Sequence, residues 1–93
     1  MNFDEFQEIC IKHAGNQWVS PEKFVHMILG IITEAGTIAE FNQKFTPVYE
    51  PSGLLADMLG NILQNVALIA RFYQIPLDDI VRHQALKLET LSR

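Results

Sequence analysis

The sequence predicts an all-α domain of four helices, with two long helices at its centre. Apolar residues recur every three or four positions in four separate segments, which is the period of a helix buried on one side. No segment alternates with the period of two that a strand requires, and helix-starting or helix-breaking residues fall between the four segments.

The first segment carries Phe3, Phe6, Cys10 and Ala14 at helical spacing and stops at Gly15, which predicts a helix over about residues 2 to 14. Trp18 then falls in a short connector. Ser20-Pro21-Glu22 is a start signal: a capping hydroxyl, a proline whose missing N–H costs nothing at the first helical position, and an acid at the positive end of the helix dipole. A long helix is expected from Pro21 to Lys44, with Phe24, Val25, Ile28, Ile31, Ile32, Ala35, Ile38 and Ala39 as its core face and Glu34 at the border of that face. "FTPVYEPSG", Phe45 to Gly53, holds two prolines and a glycine and reads as the longest loop.

The third helix, near Leu54 to Tyr73, presents Leu55, Met58, Leu59, Ile62, Val66, Ile69, Ala70 and Tyr73 on one face. Gln74-Ile75-Pro76 breaks it. In the fourth helix Asp78 and Asp79 occupy the first turn and Arg82, His83 and Lys87 follow, a charge order that complements the helix dipole. Ile80, Val81, Leu88 and Leu91 are its expected buried side.

Ninety-three residues make one domain, residues 1 to 93. The composition, 48% hydrophobic and 19% charged, belongs to a folded globular chain. That apolar share is large for so short a chain, which predicts a homo-oligomer, a dimer or a tetramer, whose subunits cover one another. A net charge of −4, with seven Lys and Arg that never form a run, argues against polymeric nucleic acid as a partner. The longest apolar run, Met27 to Ile32, is too short to span a bilayer, and "MNFDEFQEIC" lacks the basic start and apolar stretch of a signal peptide. A cytoplasmic, membrane-free location is expected.

Cys10, alone in the chain, reads as a small buried apolar side chain. His13, His26 and His83 show no metal-ligand spacing, and no Gly-rich phosphate loop is present. The informative polar residues lie on the two long helices. Glu34 shares its side of the helix with Gly30, Thr37 and Phe41, while Glu40 points about a third of a turn away. Asp57, Asn61 and Asn65, spaced i, i+4, i+8, form a polar stripe on the third helix that could face Glu34 across the helix pair. Oxygen-rich clusters between packed helices are how bundles hold hard cations such as Mg²⁺. The plainer alternative puts the Glu34 carboxylate in water and uses the asparagines to tie the helices together.

The order of "ILGIITEAGTIAEFNQKF", "LLADMLGNILQNVALIARFYQIPLDDI" and "HQALKLETLSR" resembles the all-α MazG-like nucleoside triphosphate pyrophosphohydrolases. In that family a glycine-leucine pair and "EAGE" precede a variable loop, "ELGD", a long apolar helix and "GI-[DP]-LEE". The resemblance covers nearly the whole chain from Asn2 and implies a four-helix bundle that assembles as dimers or tetramers. It also implies Mg²⁺-dependent hydrolysis of an NTP or dNTP to the monophosphate and pyrophosphate, with the metal on four acids in an ExxE…ExxD pattern. Carried over residue by residue, those positions are Glu34, Thr37, Met58 and Asn61, so one acid of four remains. Asn61 could still offer an amide oxygen, and Asp57 precedes Met58 but points about 100° round the helix from it. A thioether is a poor ligand for a hard cation, and losing three carboxylates removes most of the Mg²⁺ affinity that such chemistry needs. Lys87 falls where the family has a downstream lysine, and the resemblance makes it a contact for a triphosphate, or else it is a solvated lysine near a helix end. The expected activity is therefore weak or absent. The alternative function is a non-catalytic helical module that binds a nucleotide, regulates, or assembles.

Overall fold

In the computed structural model of the chain, residues 1–15, 20–44 and 53–92 are described, with side chains of 41–44 excepted. They form α1 (Phe3–Ala14), α2 (Pro21–Lys44), α3 (Leu54–Phe72) and α4 (Leu77–Leu91), and no strand occurs among them. The expected position of Trp18 and, of the expected loop from Phe45 to Gly53, the residues Phe45 to Ser52 lie outside the described residues.

Local chemistry sets the ends. Asn2 caps α1 by accepting the Glu5 N–H at 2.8 Å, and Gly15 ends it at φ 76°. Ser20 caps α2 through the Lys23 N–H at 3.2 Å, with Pro21 in the first helical position. α3 closes with the Ile75 N–H on the Ala70 carbonyl and the Gln74 N–H on the Arg71 carbonyl, both 2.8 Å. This is a Schellman ending, and Gln74 occupies its left-handed position at φ 60°, where glycine is usual.

α4 has no capping side chain of its own at Pro76. Two side chains of α1 substitute: Asp4 accepts the Asp78 N–H at 3.0 Å and Gln7 accepts the Leu77 N–H at 3.1 Å. Gln7, 2% exposed, also donates to the carbonyls of Ala67 and Ile75, each at 3.1 Å. One buried amide thus joins α1 to the end of α3 and the start of α4, with both its oxygen and its nitrogen used.

The core gathers Cys10, Met27, Ala67, Leu68 and Leu77, with Phe6, Phe24, Val66 and Ile69 packed around it. α2 lies along α3 over most of its length, α1 packs on α3, and α4 packs on α1 and α3. The pairs Phe24–Phe72, at 4.4 Å between ring centroids, and Glu34–Asn61 show that α2 and α3 run antiparallel.

Three expected burial patterns are corrected. On α2 the line facing α3 runs through Phe24, Met27, Gly30, Ile31, Glu34 and Ile38, while Val25, Ile28, Ile32, Ala35 and Ala39 are exposed. The apolar arc of this helix is wide enough to hold two adjoining stripes, and only one of them meets α3. Glu34 therefore lies within the inter-helix line rather than at its border. On α3, Leu59 and Tyr73 are exposed and the burial passes instead to Ala67 and Leu68. On α4, Leu88 and Leu91 are exposed and Leu77 is the most buried residue, because only the first turns of α4 reach α1 and α3.

Candidate functional site

The antiparallel pairing of α2 and α3 brings together the polar residues of the two long helices. Residues one turn apart on α2 meet residues one turn apart on α3, so Gly30 stands opposite Asn65 and Glu34 opposite Asn61. Asn61 Nδ2 donates to Glu34 Oε1 at 3.2 Å. Asn65 Nδ2 reaches so close to Gly30 that a β-carbon there would lie 2.8 Å from it. Glycine lets the helices approach at this level, and the two asparagines edge the seam.

Of the other two positions carried over from the ExxE…ExxD pattern, neither supplies a cation ligand. Thr37 is exposed, and its Oγ1 donates to the Thr33 carbonyl one turn back at 3.0 Å, an ordinary hydroxyl bond within a helix. Met58 is 6% exposed and buries its thioether between the helices. Asp57 lies one turn before Asn61 on the same edge of α3, where it is exposed and, among the described residues, makes no ion pair. Lys87 sits on the outer part of α4 beside a shallow hollow of about 420 Å³ lined also by His83, Leu86, Thr90 and Leu91. Because α4 makes no close approach to α2, the fold does not bring Lys87 to Glu34 within one chain.

Mg²⁺ takes an octahedron of oxygens and favours anionic ones. Glu34 offers one carboxylate, and Asn61 turns the nitrogen of its amide, not the oxygen, toward that carboxylate. Among the described residues no three His, Cys, Asp or Glu side chains converge on one point. The donor set does not fit the cation that the MazG resemblance implies. What the arrangement does is hold two helices in register through a charge-assisted hydrogen bond.

A second hollow, of about 390 Å³, lies at the junction of α1, α3 and α4 and is lined by Asp4, Gln7, Glu8, Arg71, Gln74, Ile75 and Pro76. Its polar groups are matched to one another: Arg71 pairs with Glu8 at 2.7 Å, and Asp4 and Gln7 hold the start of α4. Gly30 was expected on the side of Glu34, whereas Gln7 is a residue here that the motifs did not mark. Gln7 follows Phe3 by four and precedes Cys10 by three, a spacing that already placed it on the inner face of α1.

No family model matches the chain, and neither a curated protein nor a solved structure shows significant similarity to it. No described helix is long and apolar enough to cross a membrane.

Proposed function

We propose that this chain is a helical interaction module of the MazG-like type that does not hydrolyse nucleotides. The observation that carries the reading is the Glu34–Asn61 hydrogen bond at 3.2 Å, in which an amide N–H occupies the lone carboxylate. In the family's pattern that carboxylate would share a cation with three further acids, and here their places hold a self-bonded hydroxyl, a buried thioether and an amide. A hydrolase of this type needs the cation to polarise the phosphoryl oxygen and to activate water. With one carboxylate in four that step has no support, whereas the same residues serve well as a seam between helices.

The test is pyrophosphate release from the common NTPs and dNTPs with Mg²⁺ present. No turnover above background is expected. Release that disappears in Glu34→Ala would overturn the proposal.

A further inference from the structure

We infer that the hollow at the junction of α1, α3 and α4 is a binding site for a free α-amino acid with an apolar side chain. Arg71 takes its carboxylate, Asp4 and Glu8 take its ammonium, and Gln74 bonds to both. The inference goes beyond the reading of the α2–α3 seam, since α2 contributes no residue to this hollow.

The hollow holds about 390 Å³, within the about 300–1,000 Å³ of small-molecule sites. It combines both signs of charge with an apolar wall: Asp4 and Glu8 come from α1, Arg71 from α3, and Ile75 and Pro76 from the turn into α4. The bonds of the fold leave each charged group with atoms to spare. Asp4 uses Oδ1 on the Asp78 N–H, Glu8 uses Oε1 on Arg71 Nη2, and Arg71 uses that nitrogen alone. The second oxygen of each acid and the Nε and Nη1 hydrogens of the guanidinium have no partner among the described residues.

Those spare atoms accept at one end and donate at the other, so they select a ligand that carries an ammonium and a carboxylate. A plain anion would meet two carboxylates, and a plain cation would meet the guanidinium. Asp4 and Glu8 are one turn apart, about 5–6 Å between β-carbons, and Arg71 stands against Glu8 at 2.7 Å. The two charges of the ligand therefore have to lie within a few Å of one another, as they do on a single α-carbon. A free amino acid offers the pair this close, whereas a residue inside a peptide does not. Its side chain then falls on Pro76 and on Ile75, which is 40% exposed, and meets apolar surface there.

Gln74 completes the site. Its backbone is left-handed, φ 60°, at a place where glycine sits without strain. Its side chain lines the hollow and makes no hydrogen bond among the described residues, so no contact within the fold accounts for a glutamine there. An amide that donates to a carboxylate and accepts from an ammonium does account for it, and strain of this kind gathers where ligands are held.

The whole chain is titrated with leucine, valine and methionine at millimolar concentration and followed by heteronuclear NMR. The side-chain amide signals of Gln74 and the Nε signal of Arg71 should shift and saturate, and Tm should rise with ligand concentration. N-acetyl-leucine, which lacks the ammonium, and leucinamide, which lacks the carboxylate, should each bind at least about tenfold more weakly, the loss of one hydrogen bond between charged groups. Arg71→Met and Gln74→Gly should lose as much. Both keep the fold, because the Arg71–Glu8 pair is exposed and glycine suits the backbone at position 74, so lost binding in a chain that melts no lower is a lost site. No saturable shift with any of the three amino acids overturns the inference. Equal binding of leucine and N-acetyl-leucine also overturns it, since the hollow then reads no ammonium. Binding that neither variant weakens overturns it as well, because the ligand then sits elsewhere. None of these outcomes depends on whether the chain releases pyrophosphate.

Discussion

The amide nitrogen of Asn65 lies 2.8 Å from the point where a β-carbon on Gly30 would stand. This close approach fixes the spacing of α2 and α3 one turn from the Glu34–Asn61 bond. A glycine inside a helix costs about 0.5–1 kcal/mol relative to alanine, and here that cost is offset by the room it leaves for the asparagine. Gly30→Ala should accordingly leave stability nearly unchanged, because the gain in helix propensity is spent on displacing the Asn65 amide. In an Asn65→Ala background the same substitution should stabilise by about 1 kcal/mol, near 4–8 °C in Tm for a domain of this size. Equal effects in the two backgrounds, measured by thermal unfolding, would show that the contact does not matter.

Asn61→Asp restores one acid to the seam and replaces an attractive contact with two carboxylates at about hydrogen-bond distance. Like charges so placed raise the proton affinity of the pair. A carboxyl whose folded pKa is raised destabilises the fold above its ordinary range near 4 and loses that effect at lower pH. The variant should be less stable than the wild type at pH 7, approach it near pH 4, and regain stability at pH 7 with millimolar Mg²⁺ or Ca²⁺. Adding Thr37→Glu should enlarge the cation-dependent rise in Tm, while the wild type should show none. A wild type that gains as much as the variants would mean that the native seam already holds a cation.

The four helices were legible because their signals are local. Ser20 and Pro21 start α2 by capping and by fixed φ, Gly15 ends α1, and helical periodicity fills the spans between. The pairing of Asn61 with Glu34 was open to expectation, since a stripe at i, i+4, i+8 has one direction in which to face. Burial was less legible. Ile32 and Leu59 are as apolar as Ile31 and Ile62, and periodicity cannot tell a stripe that meets a neighbouring helix of the same chain from one that does not. Leu88 and Leu91 were misread for the same reason, because α4 runs past the end of what it packs on. Gln7 escaped notice as a polar residue, although its spacing placed it inward.

Gln74 holds a left-handed backbone, φ 60°, in the ending of α3. An L-residue pays about 1–2 kcal/mol there for the crowding of its β-carbon, part of which glycine returns as extra freedom in the unfolded chain. Gln74→Gly is therefore expected to stabilise by about 0.5–1 kcal/mol, and Gln74→Val to destabilise. Denaturant midpoints decide it. A loss of stability in the glycine variant would mean that the Gln74 side chain contributes more at the α1–α3–α4 junction than its backbone costs.

Burial pushes the Cys10 thiol above its ordinary pKa of 9.0, against a smaller opposite pull from a backbone hydrogen bond. The folded chain therefore keeps the proton where the unfolded chain releases it. Stability linked to Cys10 is whole below the unfolded pKa and is lost as pH rises from there through the folded value. From pH 8.5 to 10 the wild type should lose stability faster than Cys10→Ala, and the thiol should react with an aromatic disulfide reagent only as fast as the chain opens. Rapid labelling under native conditions would contradict the burial.

Gln7 makes three hydrogen bonds, to the Ala67 and Ile75 carbonyls and from the Leu77 N–H, at a site 2% exposed. Gln7→Leu keeps the volume but strips partners from buried backbone groups, each of which costs about 1–3 kcal/mol to leave unpaired. A total loss of about 3 kcal/mol is expected, a large share of the stability of a small domain. Gln7→Glu separates shape from hydrogen bonding. Its carboxylate could still accept the Leu77 N–H but would set negative charge against two carbonyl oxygens, so the group should hold a proton in the fold. A carboxyl with a raised folded pKa leaves the variant most stable below about pH 4.3 and progressively less so above it. Gln7→Glu should thus lie closer to the wild type at pH 4 than at pH 7, and Gln7→Leu should show no such dependence. If the two variants share one pH profile, the α1–α3–α4 junction is held by packing rather than by the amide.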